Sequence, residues 1–564
     1  MNSTVAAYAS VLLLACARPT PREERPDERF FQAAELARSP SAEVRALLDS
    51  PSAAVRSRAA LAVGRIADPQ AVPKLALLAR DDETAAWALG RIDLGRDALV
   101  ACLPRPACAR ALGGNIQAID ALIDALPEPE AAFALGVTAR NKDAKFPARA
   151  WSALSEALPR IPAAAAYALS RMPKGERVHG LEIALRDSEP WTRALAARAW
   201  GVQGLPASGL EKAFDDPDWR VRVEAARGLA TAPGAADSFK KVLPAQTSEH
   251  VRNALFEAAA QIGPSVLDAV PTTPCIAALA RDRIRKRLVD TPDCAPRSDW
   301  RQRARIGALA AELGLETEAA AAMRDPDGRV RGAAAGAAVP ALAPEVRKLL
   351  EDPDPYVVAE AAGVLANDAG SREAAKAAAR RLDKAREKPA GDPEYDALAS
   401  LTPLTGSMLP KRPFAVPAEA RAMPRARTLR IRTSKGDLVI DLDPDVAPLT
   451  SSALAVLATR KFYDGLTFHR VVPDFVVQGG DPRGDGDGGP GWSLPDEHSP
   501  LRFLRGTLGI ATNGPETGGS QFFLCHSPQP HLDGKYTVAG KLRKGDDVLD
   551  ALQVGDTIDL ATAE

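Results

Sequence analysis

Phe468-His469-Arg470-Val471-Val472-Pro473-Asp474-Phe475-Val476-Val477-Gln478-Gly479-Gly480-Asp481 stands near the C-terminus, followed some forty residues later by Gly519-Ser520-Gln521-Phe522-Phe523. The two blocks set Arg470 among aromatic side chains and bring in two amides, Gln478 and Gln521. They offer no nucleophile, no acid–base carboxylate pair and no cluster of metal ligands. Such equipment suits a reaction in which no covalent bond is made or broken. Around them the texture is that of a β domain. Leu429-Arg430-Ile431-Arg432-Thr433 alternates, Ser434-Lys435-Gly436-Asp437 turns, and Leu438-Val439-Ile440-Asp441-Leu442 returns, which predicts a hairpin with one buried face. A helical pattern over 450–460 follows Pro448, and a last strand is expected near 536–540.

The paired blocks resemble the cyclophilin family of peptidyl-prolyl cis-trans isomerases, over about residues 427–560. The resemblance implies a closed β-barrel capped by helices, acting on Xaa-Pro bonds of polypeptides without metal or cofactor. By position in the motif, Arg470 is the candidate donor to the prolyl nitrogen and Gln478 its support. Phe475, Val476, Phe523 and Leu532 are expected to line the proline pocket, with Gln521 helping to bind the peptide. Ala511, Thr512 and Asn513 fall on the edge that recognises substrate backbone, and Gly486 on the facing loop. Tyr536 stands where the family often has His, and Val476 where Met is common. His531 replaces the Trp of well-known eukaryotic members, which implies poor cyclosporin sensitivity and partial recovery in His531→Trp. The bland alternatives are a structural Arg470 paired with a carboxylate, and a domain that binds Pro-containing segments without turning them over.

Nearby features carry less. Gly484, Gly486 and Gly489 satisfy a GxGxxG spacing but have no strand-to-helix context, so dinucleotide binding is rejected. Asp481, Asp485 and Asp487 lack the spacing and terminal Glu of a calcium loop. His469 reads as a hydrogen-bonding barrel residue, since isomerisation needs no base.

The first two-thirds of the 564 residues are rich in Ala and laced with charge, which favours helix. Val221/Ala225/Leu229 and Val357/Ala361/Leu365 form i, i+4, i+8 stripes. Asp216-Pro217-Asp218, Asp325-Pro326-Asp327 and Asp352-Pro353-Asp354 precede copies of the pattern; Pro stops one helix and Asp caps the next. The recurrence, 27 residues from Asp325 to Asp352, looks like short HEAT repeats, an α-solenoid over about 28–396. Its extended surface is expected to dock a protein partner or to act as a spacer. A Pro-punctuated linker follows over 397–426, and the catalytic domain occupies 427–564.

Lys plus Arg total 72 against 73 Asp plus Glu, so no global basic field recruits nucleic acid. Met1 to Ala15 is uncharged and largely small or apolar, and ends at Cys16. Residues 1–16 resemble a bacterial lipoprotein signal with Cys16 as the lipidated residue, although no basic residue precedes Arg18. The apolar run is too short to cross a bilayer. Residues 17–27 would then be a tether, and the protein would sit in the cell envelope, facing the periplasm from the outer membrane. Cys102–Cys108 and Cys275–Cys294 are candidate disulfides for an oxidising compartment, with free thiols as the alternative. Cys525, in an apolar run, reads as inert.

Overall fold

The computed structural model describes residues 28–176, 178–267, 270, 275–288, 299–381, 392, 397, 418, 420 and 426–564. Cys16, the segment 17–27 expected as a tether, most of the segment 397–426 expected as a linker, and Cys294 lie outside the described residues, as does the Cys275 side chain. The chain divides into two compact units, 1–98 and 99–564. In the first, the helix Ala53–Ile66 packs on both Glu28–Ala37 and Glu83–Gly90. Arg58 and Arg65 bind the Glu35 carboxylate at 2.6 and 2.9 Å.

The second unit begins mostly helical. Helices α1 (Pro129–Thr138), α2 (Pro162–Leu169), α3 (Pro190–Val202), α4 (Trp219–Leu229) and α5 (Glu249–Ile262) each pack on the next. A second run, α6 (Trp300–Glu312), α7 (Gly328–Gly336) and α8 (Pro355–Leu365), does the same. Proline opens α1, α2, α3 and α8 at a position whose amide lacks an intrahelical partner anyway. Asp218, Asp299, Asp327 and Asp354 cap α4, α6, α7 and α8 by accepting backbone amides. The stripes expected from the sequence, Val221/Ala225/Leu229 and Val357/Ala361/Leu365, are buried. Gly201 and Gly228 let α3 and α4 approach backbone to backbone; a Cβ at Gly201 would strike the Gly228 carbonyl.

The repeated Asp-Pro-Asp has a second use. Its first Asp receives a two-pronged guanidinium from the preceding helix: Arg193 on Asp216 (2.6 and 2.9 Å) and Arg331 on Asp352 (2.7 and 2.8 Å). Arg303 reaches Asp325 likewise, at 2.8 and 3.3 Å. Paired geometry of this kind outperforms a lone surface ion pair, at about 1 kcal/mol per rung. Cys102 and Cys108 form a disulfide.

The C-terminal region is an eight-stranded, all-antiparallel sheet. Its strands are β1 (Thr428–Thr433), β2 (Gly436–Leu442), β3 (Arg470–Val472), β4 (Val476–Gly479), β5 (Thr507–Ile510), β6 (Phe522–Cys525), β7 (Val538–Lys544) and β8 (Ile558–Ala563). Their order is β3-β4-β6-β5-β7-β2-β1-β8. The sheet curls until its edges meet, where the amides of Phe468 and Ile558 donate to the carbonyls of Asp556 and Leu466 at 2.9 and 2.8 Å. The expected hairpin is β1–β2, with Thr433 opposite Gly436. The expected helix is α9 (Pro448–Thr459), and the expected late strand begins two residues further on, as β7. Helix α10 (Asp546–Ala551) and strand β8 were not foreseen. Ile431, Leu438, Ile440, Leu454, Val477, Phe522 and Ile558 belong to the interior core.

The helices hold this barrel directly. Arg502 pairs with Glu130 of α1 at 2.7 Å, and Arg220 of α4 reaches Asp550 at 3.5 Å. Trp219 stacks on His250 (centroids 4.6 Å apart) and meets His526 of the barrel edge-on at 5.2 Å. Arg301 of α6 donates to the Thr467 hydroxyl at 2.9 Å.

Candidate functional site

Strand alternation builds the site on the outer face of the barrel. In β4 and β6, Val477, Phe522 and Leu524 point into the interior, so Val476, Gln478, Phe523 and Cys525 face outward. Register aligns them, with Arg470 opposite Gln478, Gln478 opposite Phe523, and Val476 opposite Cys525. Val476, Phe503, Phe523, Cys525, Leu532 and Val538 form an outer apolar cluster, against which Phe475, Ala511 and Tyr536 pack. Phe523 stacks on Phe503 at 5.5 Å, and Tyr536 meets both rings edge-on at 5.9 and 6.5 Å. Val476, Phe523 and Leu532 of the expected pocket thus belong to one cluster, with Phe475 packed against it.

Arg470 borders it. Its guanidinium carbon lies 5.5 Å from the Phe475 ring centroid, and one nitrogen donates to Gln478 Oε1 at 3.3 Å. Among the described residues its side-chain partner is this amide and no carboxylate pairs with it. Burial lowers its pKa, with Tyr536 opposing, yet a guanidinium stays protonated throughout the physiological range. Gln478 Nε2 donates to Gln521 Oε1 at 2.9 Å, and Gln521 Nε2 donates to the carbonyls of Gly486 and Gly488 at 2.7 and 2.8 Å. This fixes the sense of both amides, and Arg470 itself is exposed.

The other expected residues gather nearby. The Ala511 amide donates to the Gln521 carbonyl at 3.0 Å, so the 511–513 segment continues the edge beside Gln521. Thr512 is half-buried and Asn513 exposed, with its amide on Thr517 Oγ1 at 2.8 Å. Gly486 is exposed and presents its carbonyl to Gln521. His531 stacks on Phe475 at 5.5 Å. It is only 8% exposed, so an indole there would have to displace its neighbours. Burial, with Arg140, Arg171, Lys535 and Arg198 around it, depresses the imidazole pKa to about 2, and the ring is neutral. Cys525 is buried and free, as expected, its thiol pushed up by burial.

Two residues depart from the sequence reading. His469 was expected to hydrogen-bond within the barrel, yet neither ring nitrogen has a hydrogen-bond partner among the described residues. Asp474, which the sequence reading passed over, turns β3 into β4 in a left-handed conformation (φ 57°). Its carbonyl accepts from Ser527 Oγ at 2.8 Å and Gln529 Nε2 at 3.0 Å, which seats Phe475 beside it. Its carboxyl is buried, and burial reinforced by Glu224 pushes it up to about 7 against the pull of Ser527, Arg227 and Arg220. Pro473-Asp474, a turn-favouring pair ahead of Phe475, is the signal the sequence carries. The Asp481 oxygens take the amides of Arg483 (2.8 Å) and Gly486 (2.6 Å), and so shape the 481–489 loop.

Residues 428–563 match the family model described as cyclophilin type peptidyl-prolyl cis-trans isomerase/CLD. A peptidyl-prolyl cis-trans isomerase of Synechococcus elongatus is 46% identical over 130 residues, 23% of this chain and 90% of that protein. Peptidyl-prolyl cis-trans isomerase B of Bacillus subtilis is 48% identical over 120 residues, 21% of this chain and 84% of that protein. A crystal structure of a Cryptosporidium parvum cyclophilin type isomerase, obtained in the presence of the dipeptide Ala-Pro, shares 32% identity. It covers 24% of this chain and 98% of that one, with a TM-score of 0.23. Through its C-terminal barrel, the chain belongs to the cyclophilin-type peptidyl-prolyl cis-trans isomerase family.

Proposed function

We propose that the barrel catalyses rotation about Xaa-Pro bonds of polypeptides, with Arg470 as the group that stabilises the twisted amide. The barrier, about 18–20 kcal/mol, comes from delocalisation of the nitrogen lone pair. The two ground states before proline differ by only about 0.5–1 kcal/mol, so a catalyst need only favour the twisted state. Phe475, Val476, Phe523 and Leu532 hold the ring. Gln521, the 511–513 edge and Gly486 hold the flanking backbone while the acyl side turns. As the lone pair localises on the prolyl nitrogen, Arg470 donates to it, oriented by Gln478. The observation that carries this reading is a guanidinium with no carboxylate partner among the described residues, beside an apolar cluster and hydrogen-bonded to a chain of amides.

NMR exchange spectroscopy on an Xaa-Pro peptide tests it. Enhanced exchange is expected; binding with exchange at the uncatalysed rate would leave a Pro-segment-binding scaffold instead.

For the whole chain, our reading is an envelope lipoprotein, acylated at Cys16, whose HEAT-type solenoid carries the isomerase to exported clients. The Cys102–Cys108 disulfide supports an oxidising compartment, and the Arg–Asp rungs between successive helices support a repeat array. Cell fractionation with labelled fatty acid tests the anchor; unlabelled cytoplasmic protein would remove it without touching the isomerase assignment.

A further inference from the structure

The helices reach the catalytic barrel at a loop that the site itself depends on. Asp354, the cap of α8, accepts from the Arg483 guanidinium at 3.0 Å, and Tyr356 in the first turn donates its hydroxyl to the Asp487 carbonyl at 2.7 Å. Arg329 of α7 donates to the Arg483 carbonyl, and Arg483 lies over the Tyr356 ring at 4.6 Å. Arg329 is itself held by Asp327 at 2.6 Å and stacked over Trp300 at 3.8 Å. Gly484 completes the seat. Its φ of 74° suits glycine, and a Cβ there would come within 3.2 Å of Arg301.

The same loop is one wall of the site. Asp487, gripped through its carbonyl by Tyr356, lies between Gly486 and Gly488, whose carbonyls receive Gln521. Gln521 continues through Gln478 to Arg470. A chain of hydrogen bonds thus runs unbroken from the start of α8 to the guanidinium beside the proline cup.

We infer that Asp354, Tyr356 and Arg329 are positioning residues of the isomerase, which set the 481–489 loop and through it the Gln521 amide that grips substrate backbone. The helical region is then part of the working site and not only its carrier. This rests on the isomerase reading above. The contacts are polar and confined to this one loop, so they tune where the loop stands without contributing much to whether the barrel folds.

The test uses the full chain with Asp354→Asn and Tyr356→Phe combined. Asn caps a helix as well as Asp does, and Phe keeps the ring under Arg483, so both helix and stack survive while the ion pair and the hydroxyl bond go. With an Xaa-Pro peptide, KM is expected to rise about tenfold, with kcat within about twofold and Tm unchanged. Combined with Gln521→Ala, the losses are expected to be less than additive, because both act on one grip. An unchanged KM, a fall in kcat that follows a fall in Tm, or fully additive losses would each overturn the inference. An unmodified chain without activity would instead overturn the isomerase reading.

Discussion

Arg470→Ala separates chemistry from architecture because of what surrounds the guanidinium. In the folded protein it makes one 3.3 Å bond to an amide and one 5.5 Å contact with an aromatic ring, and it holds no carboxylate among the described residues. Removing it strands no buried charge, and the lost contacts are together about 1 kcal/mol. In the twisted state the same group meets a nitrogen whose lone pair has just become available. Removing one preorganised donor of that kind costs about 3 kcal/mol, on the order of a hundredfold in rate. Exchange rates on an Xaa-Pro peptide and calorimetric Tm should be measured on the same preparations. Arg470→Lys, which keeps the charge but loses the planar fork, is expected between parent and Ala. The reasoning is refuted if Arg470→Ala stays within threefold of the parent, or if the loss of activity matches the loss of folded protein.

Phe523→Ala should lower stability by about 3 kcal/mol in denaturant titrations and also raise KM, since the ring is 4% exposed and stacked on Phe503 while lining the cup. Asp474 has a native pKa near 7 against an ordinary 3.8, so between those values the folded chain keeps a proton that the unfolded chain has released. Its contribution therefore falls as pH rises from about 4 to about 7. Asp474→Asn, which tolerates the same left-handed backbone, should raise Tm at pH 8 and leave it nearly unchanged at pH 4; equal shifts at both would show that the carboxyl is not the cause. Cyclosporin should inhibit the parent weakly in the exchange assay. His531→Trp should recover only part of the sensitivity and should lower Tm, because the position is already filled.

The barrel and the outer row of the candidate site were legible because period-2 alternation and two motif blocks sit on contiguous sequence. Leu429–Leu442 announced its hairpin, and 468–481 with 519–523 announced the outer row of Arg470, Gln478 and Phe523. Strand β8 was missed because Ile558–Ala563 is half-buried beside β1 and carries little apolar alternation of its own. The helical stripes and Asp caps were visible as repeats, while the bridging role of the first Asp was not, since its Arg partner lies 21 to 23 residues away. The grip on the 481–489 loop was invisible for a deeper reason. It joins residues more than a hundred positions apart, and neither Tyr356 nor Arg483 stands out from its neighbours in periodicity or composition.

The pairing of β1 with β8 bears on how the chain is made. Residues 428–433 leave the ribosome early in the domain's synthesis, but their second neighbour is 558–563, at the far end. Until those last residues emerge, β1 has one open flank, and the apolar faces of Leu429 and Ile431 lack their cover. The helices are complete well before then and fold through contacts close in sequence. A nascent barrel would thus wait, open, beside a finished set of helices that already displays Trp219, Trp300 and Tyr356 toward it. The vectorial order of synthesis gives the helices a window to shield an isomerase that cannot yet close on itself.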